Sequence, residues 1–159
     1  MRRIIFLVAL TALSIPAPAH DSAGTAASKS TFPAAARGPA ATVDAFHAAL
    51  RRGDTRAAAA LLANDALIFE EGGAERSKAE YAARHLPADA AFSQAVTMTV
   101  TRRAGGSDGS FAWIATEGRM TGTFQGRSVD RLTAETMLLR RAGPAWKIVH
   151  IHWSSAAKQ

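Results

Sequence analysis

Apolar positions repeat with two different periods along this chain, and the change of period divides it in two. Val43, Phe46 and Leu50 fall at i, i+3 and i+7, one face of a helix that Thr42 is placed to cap and Gly53 to stop. Asp54 or Thr55 then caps a second helix, Arg56 to Ala63. Its alanines allow close packing, and Leu61 and Leu62 supply its apolar contacts. Ala66 to Glu71 reads as a short strand closed by Gly72-Gly73. Ser77-Lys78-Ala79-Glu80 is a capping box, so Glu80 has a structural duty. The third helix it opens carries Tyr81, Ala82, His85 and Leu86 and ends at Pro87.

From Phe92 onward the period falls to two. Ala95 to Thr101 alternates apolar residues with threonine, which predicts a strand with one buried face. Ala104 to Gly109 reads as a flexible hairpin loop, and Phe111 to Phe124 as a long strand that Gly118 and Gly122 allow to bend or bulge. Gln125-Gly126-Arg127 turns it back into Ser128 to Arg141, and Gly143-Pro144 makes the last hairpin. Short loops join antiparallel neighbours, so the C-terminal half is a four-stranded meander packed on the preceding helices, an α+β domain.

The last strand, Trp146 to Ser154, is dense in β-branched and aromatic side chains. Strict alternation sets Trp146, Ile148, His150, His152 and Ser154 on one face and Lys147, Val149, Ile151 and Trp153 on the other. With the histidines inward, Val149, Ile151 and Trp153 form an outward apolar stripe of a kind that soluble monomers rarely expose. A second copy packed on that stripe buries it, which predicts a homodimer.

This last strand, with Arg131-Leu132-Thr133-Ala134-Glu135-Thr136 and the turn at Ala142-Gly143-Pro144 before it, resembles the SnoaL-like branch of the NTF2-like superfamily. Within it the likeness is to stand-alone bacterial domains of unknown function and to the association domain of calcium/calmodulin-dependent kinase. The resemblance implies an NTF2-like cone over residues 40–157, three N-terminal helices packed on a curved, mainly antiparallel sheet around a conical pocket. It also implies a small-molecule ligand and a homodimer.

The N-terminus adds a destination. Met1-Arg2-Arg3, the apolar run Ile4 to Ile15 and Pro16-Ala17-Pro18-Ala19 have the three regions of a secretory signal, which sets residues 1–19 as the signal peptide. Residues 20–39, rich in Ala, Ser, Thr, Gly and Pro, read as a disordered leader. The mature protein is expected to be periplasmic or secreted, with no membrane attachment after cleavage. The chain has no cysteine, so packing alone stabilises it. Of 19 Lys and Arg against 13 Asp and Glu, Arg2 and Arg3 fall in the signal, and the remaining excess of +4 is spread along the chain. No nucleic-acid partner is expected.

For chemistry, His150 and His152 would stand about 6.6 Å apart on one face. They can share a metal if Glu135, Glu117 or His47 supplies a third ligand, or they can be neutral, hydrogen-bonded residues of the pocket or interface, which the resemblance favours. No metal and no cofactor are expected. Glu117 and Arg119 share a face with Phe111 and Trp113, and Arg131, Thr133 and Glu135 share a face on the next strand. Turned inward, Arg119 or Arg131 can receive an anion with Glu135 beside it; turned outward, they are solvated ion pairs. Tyr81 is the one tyrosine. Neither the ketosteroid isomerase pattern nor the Arg and paired Asp of limonene epoxide hydrolases is matched. The ligand-binding set is therefore His150, His152, Glu135, Trp113, Glu117, Arg119 and Tyr81, with His150, His152 and Glu135 the acid–base candidates. The reading is an exported small-molecule-binding domain. Its alternatives are an isomerase, cyclase or hydrolase using a pocket His or Glu, and a dimeric assembly module without catalysis.

Overall fold

The computed structural model describes residues 29–158; residues 1–19, expected to be a signal peptide, and residues 20–28 of the expected leader lie outside them. A strand β1 (Lys29–Thr31) and a 3-10 turn lead into helices α1 (Arg37–Arg51) and α2 (Thr55–Leu61), then a hairpin of β2 (Leu62–Glu70) and β3 (Gly73–Glu75). Helices α3 (Lys78–Ala83) and α4 (Leu86–Ala95) follow, and β4 (Val96–Ser107), β5 (Phe111–Phe124), β6 (Arg127–Ala142) and β7 (Ala145–Ala157) complete the chain. One sheet holds all these strands in the order β1-β4-β5-β6-β7-β2-β3. The meander β4 to β7 is antiparallel, whereas β1 joins β4 and β2 joins β7 in parallel.

The helices cover the inner face of the curved sheet, as the α+β cone requires. Val43, Phe46 and Leu50 of α1 pack with Ile114, Met137, Leu139, Ile148 and Ile151 of the strands. The hairpin of α1 and α2 closes at Gly53, whose φ of +71° and contact with the Gln94 side chain suit glycine alone. Asp54 caps α2 by accepting from the Ala57 amide at 2.9 Å. Ser77 caps α3 by accepting from the Glu80 amide at 3.1 Å, while the Glu80 carboxylate turns back to the Arg76 amide. Both caps stand where the sequence set them.

Elsewhere the structure departs from the pattern. Residues 29–39 are not a disordered leader: they form β1, the 3-10 turn and the first turn of α1. Pro39 sits within the first turn, where its missing N–H costs no helical bond. Thr42 is thus inside α1, with its hydroxyl donating to the Gly38 carbonyl at 3.2 Å. Pro87 likewise starts a helix: α4 opens with it, which makes four α-helices among the described residues in place of three. The glycine-rich stretch after Ala104 continues β4 as far as Ser107.

The largest departure lies in β7. Leu138 pairs with His150 but Leu139 pairs with Ile148, leaving Val149 as an extra residue. Such a bulge moves every later side chain to the other face. Trp146 and Ile148 point to the core before it; Ile151, Trp153 and Ser155 do so after it, while His150, His152 and Ser154 face outward. Ile151 has no exposed surface. Val149, Ile151 and Trp153 therefore do not form an outward stripe, because Val149 is consumed by the bulge and the other two are part of the interior.

Candidate functional site

The inner face encloses a cavity of about 130 Å³ between α1, α4 and the concave side of the strands. Its apolar wall comes from Leu50, Phe92, Val96, Met98, Met120 and Trp153, and its polar groups are His47, Arg51, Glu70, Glu71, Asp89 and Glu135. A glycine opens part of this space. A Cβ on Gly118 would stand 2.4 Å from Met98 Cε and 2.7 Å from the Thr99 carbonyl, so only glycine lets β4 lay Met98 against β5 there.

Glu135 is the most constrained polar group. Register sets it directly opposite Trp153, and the Trp153 indole N–H donates to its Oε2 at 2.8 Å. His47 Nε2 reaches the same oxygen at 2.8 Å from α1. Trp153 is held in turn by stacking on Phe46, with ring centroids 6.4 Å apart. Burial pushes the Glu135 carboxyl up, but the His47 charge, the two hydrogen bonds and the Arg103 charge outweigh it and hold the group below the ordinary carboxylate range. The other oxygen, Oε1, is buried and accepts no hydrogen bond.

A second acidic group lies across the same row. Glu70 is the β2 neighbour of Trp153, so Glu70, Trp153 and Glu135 stand side by side on three adjacent strands. Desolvation first, then the Asp89 and Glu71 charges, push the Glu70 carboxyl up to about 7. Asp89 is raised by its burial, against the hydrogen bond from Tyr81 and the His85 charge, which lower it. The buried Tyr81 hydroxyl donates to Asp89 Oδ2 at 2.6 Å, and burial beside Asp89 keeps that phenol protonated.

Of the residues singled out in the sequence, Glu135 lines the cavity and Tyr81 backs it through Asp89. Trp113, Glu117 and Arg119 lie on the outer face instead, since β5 turns Ala112, Ile114 and Thr116 inward. Arg119 is engaged there by Asp130, with Nε donating to Oδ1 at 2.6 Å. Arg131 does point inward, but its guanidinium is held by Ser155 at the far end of β6. Neither arginine is placed to receive an anion in the cavity. His150 is also outside: its Nδ1 lies 2.9 Å from the Leu67 carbonyl, which can only accept, so Nδ1 carries the proton. Phe69 stands edge-on to both outer histidines, whose rings are 6.5 Å apart. Among the described residues no three His, Asp or Glu side chains converge as a metal site.

The sequence reading passed over Glu70, Asp89 and the inward turn of Trp153. A carboxylate ending an apolar strand just before Gly72-Gly73 was the available signal for Glu70. Asp89 carries no such signal, because the helix it belongs to begins at a proline that also reads as a stop.

The SnoaL-like domain family matches residues 40–158. No curated protein matches the chain. Among solved structures, a Shewanella frigidimarina protein provisionally assigned as a ketosteroid isomerase is 34% identical, with a TM-score of 0.73 over 78% of this chain and 100% of that one. A Xanthomonas campestris protein, provisionally assigned as a calcium/calmodulin-dependent protein kinase II association domain, is 22% identical, with a TM-score of 0.65 over 78% and 89%. An NTF2-like protein of unknown function from Pseudomonas putida is 19% identical, with a TM-score of 0.62 over 73% and 82%. The last two share the fold. This chain belongs to the SnoaL-like domain family.

Proposed function

We propose that this is an exported domain that binds a small molecule inside the cone. The observation that carries the reading is Glu135, a buried carboxylate held by two donors at the wall of an apolar cavity, where a folding core alone has no use for a charge. The cavity is well below the roughly 300 Å³ typical of sites for drug-sized ligands. An apolar cavity of about 150 Å³ takes up benzene, so the part of the occupant held inside the cone is of that order. Native mass spectrometry of the mature protein purified from the periplasm tests this directly. A stoichiometric small-molecule increment is expected; a bare protein that also takes up no added ligand would refute the reading.

A second reading is acid–base catalysis, favoured by Glu70, whose carboxyl near 7 can both give and take a proton at neutral pH. The proton carrier is then Glu70, not His150 or His152. Isomerisation of a small β,γ-unsaturated ketone, followed by absorbance of the conjugated product, should stop in Glu70→Gln; no turnover by the unaltered protein excludes this reaction.

The homodimer belongs to the same proposal, through a different surface from the one expected. Trp113, Leu138, His150 and Leu67 form one cross-strand row on the outer face, and Thr136, His152 and Phe69 form the next. Trp113 is 45% exposed and Phe69 38%, with the charged pair Arg119 and Asp130 to one side. An apolar centre with a charged border is the composition of a two-fold contact.

A further inference from the structure

The reading above leaves the occupant's chemistry open, and the lining narrows it. Four carboxylates, Glu70, Glu71, Asp89 and Glu135, border the space against Arg51 and His47, and His47 is already engaged with Glu135. Acidic side chains at a cavity do not by themselves define a ligand. A separate observation does so here: Glu135 is only 6% exposed, and its buried Oε1 has no donor. An ionised carboxylate only accepts hydrogen bonds, so the group that satisfies Oε1 must bring an N–H or O–H. An ionised carboxylate group has no such hydrogen, and any anion would meet like charge on several sides.

The row Glu70–Trp153–Glu135 adds geometry. Adjacent strands lie about 4.8 Å apart, so the two glutamates flank the indole with roughly 10 Å between their backbones, a gap that their side chains and one small polar group fill. Two carboxylates on either side of the indole attract a cation by charge. The remaining wall, Phe92, Met98, Met120 and Leu50, is apolar.

Resting on the reading of the cavity as a ligand site, we propose that its occupant is a small primary or secondary amine in its ammonium form. The nitrogen lies at the Glu70–Trp153–Glu135 row with an N–H on Glu135 Oε1, and a compact apolar body extends toward Met98 and Met120. The ammonium relieves the repulsion among Glu70, Glu71 and Asp89 and supplies the donor that Oε1 lacks.

Three probes of nearly equal size separate the possibilities: benzylamine, benzyl alcohol and benzoate, titrated calorimetrically into the mature protein at about pH 8, where Glu70 is ionised. Benzylammonium should bind at least about tenfold more tightly than benzyl alcohol, and benzoate should not bind. Glu70→Gln, at the open side of the cavity, should reduce the amine's advantage over benzyl alcohol to about threefold or less. Equal affinity for alcohol and amine, or an advantage that survives Glu70→Gln, overturns the amine assignment and leaves the binding reading standing. Binding of none of the three also overturns it, and the native mass spectrum then decides separately whether the cavity holds any ligand.

Discussion

Trp153 and Glu135 face each other across β6 and β7, and the indole N–H of the first donates to Oε2 of the second at 2.8 Å. The bulge at Val149 makes this contact, since without it Trp153 would point away from the helices. Trp153→Phe keeps the ring stacked on Phe46 but removes one of the two donors from a buried charge. The expected loss is about 2 kcal/mol of unfolding free energy in urea titration. His47→Ala should cost a similar amount, and the double variant should fall short of the sum because both donors serve one oxygen. Full additivity would show that the two contacts are independent.

Gly118→Ala places a methyl group against Met98 Cε and, at 2.7 Å, against the Thr99 carbonyl. The methionine can swing away but the backbone cannot. A loss of about 1–3 kcal/mol is expected, together with a smaller cavity, because Met98 is part of its wall. The same variant measured for benzylamine uptake should bind more weakly; unchanged stability and uptake would mean that β4 shifts freely.

Asp54 and Ser77 were legible as caps because capping is a local matter of one side chain and an amide three residues on. The strand Phe111–Phe124 was legible to its ends because Gly109 before it and Gln125-Gly126 after it take positive φ angles in the turns. Pro87 misled because a proline stops one helix and starts another with equal ease. The orientation of the last strand was out of reach for a different reason: a bulge is a mismatch between two strands, and alternation within one strand does not contain it. Hence Glu135 faces the cavity as its strand pattern allows, whereas His150 and His152 lie on the outer face.

Stability should peak in mildly acidic solution. Glu70 has a folded-state value near 7 against an ordinary 4.5, so between these the folded protein holds more protons than the unfolded chain and stability falls as pH rises through that window. Asp89, also raised, has the same sign. Glu135 has the opposite one: its lowered value stabilises the fold above 4.5, and that contribution is lost as pH falls through the folded value. The groups around Glu70 are Asp89 and Glu71, Tyr81 behind Asp89, Glu135 across the row, and His47 and Arg51 from α1. Denaturant titrations from about pH 4 to pH 8 should give a maximum near pH 5, and Glu70→Gln should flatten the limb above it. Since Glu70 is solvent-exposed at the rim of the cavity, the amplitude is small; a maximum at pH 7 or above with the native residue would contradict the assignment.

The outer sheet face and the β7 residues make opposite predictions for the same kind of substitution. Trp113 is 45% exposed on the outer face, so a charge there costs the monomer little but would meet its own copy across the proposed two-fold contact. Trp113→Glu should halve the mass measured by light scattering while the circular dichroism spectrum stays unchanged. Ile151 has no exposed surface and packs among Met137, Ile148 and Phe46. Ile151→Glu should therefore unfold the protein instead of separating two folded copies. If Trp113→Glu remains dimeric, the outer face is not the contact; if Ile151→Glu gives a folded monomer, the bulge at Val149 is absent in solution and the last strand presents its other face.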